Sequence, residues 1–283
     1  MIYLNGQYMP IEEARIPVLD RGFIFGDGIY EFVPVFDRVP FRLTEHWQRL
    51  ERSLREVQIA NPFDAAGFRA IVDKLVEAHP WENQGVYVQI TRGVAPRDHS
   101  FPKGVQPTVF IMSNRLALPS AELVEQGMSV SVREDIRWLR CDIKSISLMG
   151  HCMLRSEATA EGNAEVILVR NGLVTEASSS NILVVKDGVV LCPPKDHLIL
   201  PGITYDVVLE IAQAREFEVD VRDVSEAETR DADEIWITSS TKEVLAVTTL
   251  DGKAVGTGKP GPLFRRMHAL YQEFKQTVMR RAA

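Results

Sequence analysis

Lys144 is the residue of this 283-residue chain whose side chain could do chemistry by itself. It stands in RCDIKSIS, where Ile143 and Ile146 predict a partly buried strand. Burial disfavours a charged ammonium, and the neutral amine that results can attack an aldehyde to form a Schiff base. Strand lysines often reach solvent through their flexible stems instead, so the surrounding motifs have to decide between these interpretations.

A carboxylate and a run of hydroxyls stand together in TEASSSNI. Glu176 is closely followed by three serines, Ser178, Ser179 and Ser180, within an otherwise apolar run that predicts a strand. A carboxylate that faces a heteroaromatic ring nitrogen keeps it protonated and strengthens the ring as an electron acceptor, while hydroxyls can hold polar parts of the same ligand. An exposed, serine-rich strand end is the alternative interpretation.

Two segments have the composition of a phosphate-binding cup. In LPGIT a glycine leads into a predicted helix. The backbone N–H groups of Ile203 and Thr204 then have no partner within the helix, so they can donate hydrogen bonds to an anion. WITSSTKEV supplies hydroxyls after a strand, from Ser239, Ser240 and Thr241. A capped helix start would explain such segments equally well.

Three further side chains could bind anionic groups. Arg49, in HWQRLERS on a predicted helix, could supply the counter-charge of a phosphate, although helix arginines are often solvated. TRGVAPRDHSFP places Arg97 and His99 on a loop bounded by glycine and proline. The planar guanidinium of arginine can donate two parallel hydrogen bonds to a carboxylate, and a histidine can bind the same carboxylate.

Turn signals and apolar spacing predict the elements that position these residues in the first half of the chain. An Asn5-Gly6 turn predicts an opening hairpin. Apolar residues at helical spacing after Thr44 and after Asp64, the latter a helix-capping residue, predict two helices that pack on one sheet. VYVQITRG and TVFIMSN predict further strands of that sheet.

A run with a proline and a helix-capping serine, RLALPS, separates the two halves, so we predict domains at 1–117 and 118–283. In the second half we expect a helix over 148–161 and two more hairpin turns, at 171–172 and 187–188. Strands and helices are segregated rather than alternating. The predicted fold class is therefore α+β with two domains.

Composition limits the kind of protein. With 45% hydrophobic and 25% charged residues the chain has an ordinary globular composition, and a net charge of −7 gives no attraction to nucleic acid. No apolar run approaches the roughly 20 residues of a membrane span and no signal peptide is evident, so we expect a cytoplasmic protein without a membrane partner. Three cysteines without CxxC spacing argue against disulfides and a metal site.

Together, these motifs resemble the fold type IV aminotransferases, which depend on pyridoxal 5′-phosphate, and they are most similar to the D-amino acid branch. They occur in the family's order and approximate spacing: DRGFIFGDGIYE, HWQRLERS, TRGVAPRDHSFP, DIKSISL, NAEVILVRNGLVTEASSSNI, LPGIT and TSSTKEV. The resemblance implies a smaller N-terminal α/β sandwich-like domain and a larger C-terminal pseudo-barrel domain. It also implies a homodimer with the active site at the subunit interface.

The resemblance implies a role for each candidate residue. Lys144 would be catalytic, holding the cofactor as a Schiff base and moving the substrate proton, and Glu176 would bind the pyridine nitrogen. The remaining cofactor-binding residues would be Arg49, Ser179, Ser180, Leu200, Ile203, Thr204, Ser239 and Ser240. The substrate carboxylate would meet Tyr30, Arg97 and His99. The loop that carries Arg97 and His99 reaches the partner's active site in the family. Lys242 departs from the small polar residue expected there.

The implied activity is transfer of the amino group of a D-amino acid to a 2-oxo acid, 2-oxoglutarate or pyruvate. The PRDHSFP loop is the feature that favours D-amino acids. A branched-chain L-amino acid aminotransferase and an aminodeoxychorismate lyase would keep the same lysine and glutamate, so they remain alternatives. A non-catalytic protein that binds pyridoxal phosphate is a more distant one.

Overall fold

The computed structural model describes residues 1–279, and the last four residues of the predicted second domain lie outside them. Internal contacts divide the chain into two compact units. Unit 1 comprises Met1–Ala117 and Ile143–Leu148; unit 2 comprises Leu118–Asp142 and the described residues from Met149 onward. The segment Ile143–Leu148, which carries Lys144, thus packs within unit 1. None of the helices within residues 1–279 combines the length and the apolar character needed to cross a membrane.

Unit 1 contains a six-stranded antiparallel sheet and three α-helices among its described residues. The strands are β1 (Ile2–Leu4), β2 (Gln7–Met9), β3 (Gly28–Phe36), β4 (Val39–Pro40), β5 (Gln84–Thr91) and β6 (Thr108–Arg115). The helices are α1 (Arg21–Phe25), α2 (Leu43–Glu56) and α3 (Ala65–Glu77), with one 3-10 turn at Ile11–Glu13. The strand order is β2-β1-β6-β5-β3-β4.

Local sequence explains the elements of unit 1. Asn5 and Gly6 have φ angles of +47° and +92°, which a two-residue hairpin turn requires, so the predicted hairpin between β1 and β2 is confirmed. Both predicted helices are confirmed as α2 and α3, and the Asp64 side chain accepts the N–H of Gly67 at the start of α3. Their apolar faces, with Leu50 and Phe68 fully buried, form one core with residues of β3, β5 and β6.

Unit 2 is built on a larger mixed sheet. Its strands are β7 (Met128–Glu134), β8 (Glu165–Arg170), β9 (Leu173–Ala177), β10 (Asn181–Lys186), β11 (Val189–Cys192), β12 (Val219–Val221), β13 (Glu234–Ser239), β14 (Glu243–Leu250) and β15 (Lys253–Ala254). Its helices are α4 (Ala121–Gln126), α5 (Met149–Ala160), α6 (Ile203–Ala214), α7 (Glu226–Arg230) and α8 (Pro262–Phe274), followed by a π-helical turn, Lys275–Met279.

The strand order of this sheet is β12-β11-β10-β13-β14-β7-β8-β9, with β15 on β14. The pairs β11/β12, β14/β7 and β7/β8 are parallel and the others are antiparallel. The two predicted hairpin turns are confirmed, because Arg170 pairs with Leu173 and Lys186 with Val189. The predicted helix over 148–161 is confirmed as α5.

Two local predictions were wrong. Lys144 is not in a strand: its neighbour Ser145 forms an isolated bridge to Ile29, because Ser145 N–H bonds locally to the Ile143 carbonyl and interrupts any longer ladder. The serines expected within a strand, Ser178–Ser180, form the turn between β9 and β10.

We expect Leu50→Ala to lower the free energy of unfolding by about 2 to 5 kcal/mol, because the side chain is fully buried and its removal leaves a cavity. A urea titration followed by circular dichroism measures the change. Glu51→Ala, on the exposed face of the same helix, is the matched control, and it should change stability by less than about 0.5 kcal/mol. Equal midpoints for the two variants would contradict the assigned core.

Candidate active site

Lys144 is half-buried in unit 1, and both its backbone carbonyl and its backbone N–H form hydrogen bonds. Its carbonyl accepts the N–H of Tyr30 at 2.9 Å, and its own N–H donates to Ser53 Oγ at 3.5 Å. The Lys144 Nζ lies 4.2 Å from the centroid of the Tyr30 ring, a position that favours a cation. The predicted catalytic amine and the predicted substrate-binding tyrosine are therefore neighbours.

Arg49 forms a buried ion pair that sequence reasoning missed. Its Nε and Nη2 donate to the two carboxylate oxygens of Glu31 at 2.7 and 2.9 Å, and His46 Nδ1 lies 2.7 Å from Glu31 Oε2. Burial by itself would raise the pKa of Glu31, but the charge and hydrogen bonds of Arg49, with His46, lower that pKa far below its usual value. The phosphate role of Arg49 stays a prediction.

Arg97 and His99 are exposed on the loop after β5 and share one aromatic neighbour, Phe25. The Arg97 guanidinium carbon lies 5.3 Å from the Phe25 ring centroid, and the two ring centroids of His99 and Phe25 are 5.6 Å apart. Arg21, which is buried, lies 4.8 Å from the same centroid and donates to the Asp98 carbonyl at 2.5 Å. Arg21 thus fixes the backbone between the two predicted carboxylate-binding residues.

Asp27 holds Arg21 in place and is shared with a second arginine. Its Oδ2 accepts from Arg21 Nε at 2.7 Å and from Arg92 Nε at 2.8 Å, and its Oδ1 accepts from Arg92 Nη2 at 3.0 Å. Burial would raise the pKa of Asp27, but the hydrogen bonds from Arg92 and Arg21 outweigh it and lower that pKa. Asp27, which holds the arginine that bonds to the loop, therefore stays ionised.

In unit 2, Glu176 lies at the end of β9 beside Arg137, which no sequence motif had indicated. Arg137 Nη1 donates to Glu176 Oε1, while Arg137 Nε and Nη2 each donate to an oxygen of Asp135 at 2.8 Å. Burial would raise the pKa of Asp135, but its bonds to Arg137 hold that pKa at about 2. One guanidinium thus bridges two carboxylates and fixes Glu176.

Asn181 ties the other Glu176 oxygen to the segment that begins α6. The Asn181 side-chain amide donates to Glu176 Oε2 at 3.2 Å and to the Leu200 carbonyl at 2.9 Å, and the Leu200 N–H donates to Glu176 Oε2 at 3.1 Å. A Cβ atom on Gly202 would lie 1.9 Å from Asn181 Oδ1, so only glycine permits this approach.

The N-terminus of α6 follows directly. Gly202 is its N-cap residue and no side chain caps the helix, which leaves the N–H groups of Ile203 and Thr204 without a side-chain acceptor there. Such a helix start suits an anion. The structure therefore brings the predicted phosphate-binding amides close to the carboxylate predicted to bind a ring nitrogen.

The serine turn before β10 surrounds a fully buried carboxylate, Glu165, on β8. The hydroxyls of Ser178 and Ser179 donate to it, and it pairs with Lys242 Nζ and with Arg155 Nη1, each at 2.9 Å. Burial would raise the pKa of Glu165, but Lys242, Ser178 and Arg155 lower it to about 2. Lys242, expected from the resemblance to be small, is accommodated because its chain folds onto this carboxylate.

Two of the remaining predicted serines, Ser180 and Ser239, form hydrogen bonds with the same lysine. Lys242 Nζ donates to Ser180 Oγ at 3.1 Å, and the Lys242 backbone N–H donates to Ser239 Oγ at 3.1 Å. Ser240 is half-buried in the turn between β13 and β14. Ser179 and Ser180 thus contact the ammonium group of Lys242, and Ser239 contacts its backbone N–H.

The candidate residues fall into two groups, one in each unit. Unit 1 holds Lys144, Tyr30, Arg49, Arg97 and His99, and unit 2 holds Glu176, Ser179, Ser180, Leu200, Ile203, Thr204, Ser239 and Ser240. Sequence reasoning missed the charged residues that hold them, namely Arg21, Asp27, Glu31, Arg137 and Glu165. Their partners lie far away in sequence, so no local pattern could have paired them.

Comparison with known proteins gives the same family from sequence and from fold. The pattern of the family described as amino-transferase class IV matches residues 28–250. The chain is 38% identical to the D-alanine aminotransferase of Bacillus licheniformis over 96% of this chain and 95% of that one, and 36% identical to the D-alanine aminotransferase of Staphylococcus haemolyticus over 96% and 97%. The solved T.th. branched-chain amino acid aminotransferase with pyridoxamine 5′-phosphate superposes with a TM-score of 0.91 at 25% identity, covering 96% of this chain and 92% of that one.

We expect Glu165 to make unit 2 less stable in acid. Its pKa is about 2 in the folded protein and about 4.5 when exposed, so its charge contributes roughly 3 kcal/mol at neutral pH. Because the folded pKa is the lower one, this contribution is complete above the unfolded pKa and is lost as pH falls through about 4.5 towards 2. Urea titrations at intervals between pH 7 and pH 2.5 measure it.

Glu165→Gln is the matched variant, because it keeps the shape and cannot ionise. The stability difference between wild type and Glu165→Gln should shrink steadily below pH 5. A difference that stays constant across this range would show that Glu165 is not the titrating group.

Proposed function

The chain belongs to the amino-transferase class IV family, and we propose that it moves the amino group of a D-amino acid to a 2-oxo acid such as 2-oxoglutarate or pyruvate. The family match and the relatives confirm three expectations from the sequence: the resemblance to fold type IV aminotransferases, the two-domain α+β fold class and the use of pyridoxal phosphate. The protein is a pyridoxal-phosphate-dependent aminotransferase.

The observation that favours D-amino acids as substrates is the activity named for the relatives of this chain. At 36–38% identity over nearly the whole chain they are D-alanine aminotransferases, whereas the similar solved structure of a branched-chain enzyme is 25% identical. The exposed pair Arg97 and His99 supports the same choice, since these two residues distinguish the D-specific loop.

The residues of each unit fit the cofactor. In unit 2 the uncapped amides of Ile203 and Thr204 suit a phosphate, and the fixed carboxylate of Glu176 suits a protonated ring nitrogen. In unit 1 the half-buried amine of Lys144 can hold an aldehyde carbon covalently. When bound, the cofactor supplies an electron-withdrawing ring that stabilises negative charge on the substrate α-carbon.

Lys144 is the residue that we assign to proton transfer. Its backbone is anchored to Tyr30 and Ser53, so its side chain has a fixed origin, and its Nζ lies over the Tyr30 ring. An amine held in this way can take the proton from the α-carbon of the donor and return a proton later in the transfer. The cofactor-binding roles of Arg49, Ser179, Ser180, Leu200, Ser239 and Ser240 belong to the same proposal.

We assign the substrate carboxylate to Arg97 and His99, with Tyr30. The guanidinium of Arg97 offers a planar fork of donors, and a histidine beside it can add one more. Both side chains are exposed and both pack against Phe25, so they are held in position while their polar groups remain available.

A homodimer is part of the proposal. Apolar side chains are exposed next to the loop of Arg97: Val18 is 73% and Phe23 is 72% exposed, and Val94 is also exposed. Val94 forms a bridge with Asp20, so these residues are close to one another. Exposed apolar surface of this kind is typical of subunit contacts. It supports the expectation that this loop meets a second subunit.

The first test is spectroscopic. The protein is loaded with pyridoxal phosphate, and D-alanine and L-leucine are added to separate samples without an amino acceptor. We expect D-alanine, and not L-leucine, to bleach the visible absorption of the bound cofactor, because the first half of the reaction moves the amino group onto it. Bleaching by L-leucine alone would make the protein a branched-chain enzyme. If neither amino acid has an effect, release of pyruvate from aminodeoxychorismate would identify a lyase.

We expect Lys144→Ala to abolish transamination, because the variant lacks the amine that we assign to cofactor attachment and proton transfer. The rate of pyruvate formation from D-alanine and 2-oxoglutarate measures the loss. Lys253→Ala, at an exposed position on β15, is the control and should keep wild-type activity. Appreciable turnover by the Lys144 variant would refute the assignment.

A further inference from the structure

The two serine-rich segments of unit 2 lie at the same end of one strand pair. Asn181, the first residue of β10, pairs with Thr238 near the end of β13. The turn Ser178–Ser180 immediately precedes Asn181, and the turn after Ser239 follows Thr238. Antiparallel pairing thus brings together hydroxyls that are about 60 residues apart in sequence.

Lys242 connects these two segments. Its Nζ donates to Ser179 Oγ at 3.0 Å and to Ser180 Oγ at 3.1 Å, and its backbone N–H donates to Ser239 Oγ at 3.1 Å. The third acceptor of Nζ is Glu165 Oε2 at 2.9 Å. An ammonium group has three N–H donors, and here each has an acceptor. The side chain is therefore held in one position.

The charges around Lys242 do not cancel. Glu165 is fully buried and pairs with two cations, Lys242 and Arg155, so this cluster carries one net positive charge. The side chain of Lys242 is 19% exposed, and that of Arg155 is 38% exposed. Part of this positive charge is thus accessible from outside the protein.

The ammonium group of Lys242 also orients the hydroxyl of Ser180. Ser180 Oγ accepts from Lys242, and within the described part of the chain no acceptor takes the Ser180 hydroxyl proton. Ser239 Oγ likewise accepts from the Lys242 N–H, and it shares one hydrogen bond of 3.3 Å with Thr241. A net positive charge beside a hydroxyl whose proton has no acceptor among the described residues suits an anion with several oxygens.

We propose that Lys242 is a positioning residue of the cofactor's phosphate site, which orients Ser180 and Ser239 towards a phosphate monoester and adds positive charge to that site. The proposal rests on the proposed function, because that function supplies the phosphorylated cofactor. The resemblance predicts only a small polar residue at this position. Lys242 therefore adds an element of phosphate binding that belongs to this chain.

The test compares two ligands that differ only in the phosphate, pyridoxal 5′-phosphate and pyridoxal. The dissociation constant of each is measured by visible absorption with protein freed of cofactor. We expect Lys242→Met to weaken pyridoxal-phosphate binding about tenfold or more, and pyridoxal binding by less than about twofold. Lys242→Thr, which restores a small polar residue, gives a second measurement if the Met variant does not fold.

Lys186→Met is the matched control, because Lys186 pairs with Asp231 in a surface ion pair at the far end of β10. It should bind both ligands as wild type does. Wild-type affinity of both Lys242 variants for pyridoxal phosphate, or equal losses for both ligands, would overturn the proposal. The measurement uses no amino acid, so a protein that shows the expected losses but does not respond to D-alanine would refute the proposed function alone.

Discussion

A carboxylate that is removed from water stays ionised only if cations and hydrogen-bond donors surround it, and the candidate residues of both units depend on this constraint. Asp27 is paired with Arg21 and Arg92, Glu31 with Arg49, and Glu165 with Lys242. In each case a buried or half-buried acidic side chain orients a cation or a loop that the proposed chemistry uses. Removing one partner would weaken or abolish the compensation of a charge that is held away from water, so these pairs also hold the geometry of the candidate site.

The motif DRGFIFGDGIYE illustrates how one short segment meets several such requirements. Asp20 caps α1 by accepting a hydrogen bond from the N–H of Gly22. Gly26 ends that helix with a φ of +67°, an angle that residues with a side chain rarely adopt. A Cβ atom on Gly22 would lie 2.3 Å from a Thr91 methyl carbon, so only glycine allows the helix to pack on the end of β5. The sequence marks this segment by resemblance, whereas the contacts give the physical reason for Asp20, Gly22 and Gly26.

Much of the fold could be predicted because its signals are local. Asn-Gly and Asp-Gly pairs specify hairpins through backbone angles, and apolar spacing with the Asp64 cap specifies α3. Long-range pairs such as Arg137 with Glu176 have no local signature. The segment around Lys144 was predicted wrongly because its isoleucines have the spacing of a strand. Its backbone instead joins β3 through an isolated bridge, which no local pattern indicates. The chemistry of the candidate site could thus be inferred from residue types, but the side chains that hold it could not.

The sharing of Asp27 by two arginines has a consequence for how the enzyme can change over generations. Arg21 and Arg92 come from distant parts of the sequence and meet on one carboxylate, so the effects of substitutions at these three positions will not be additive. The loop that Arg21 anchors carries the exposed residues Arg97 and His99, to which we assign the substrate carboxylate, and further exposed residues around them. Selection for new amino donors can therefore vary the other exposed positions of this loop while Arg97, His99 and the anchor stay constant, and libraries for laboratory evolution are best confined to those positions.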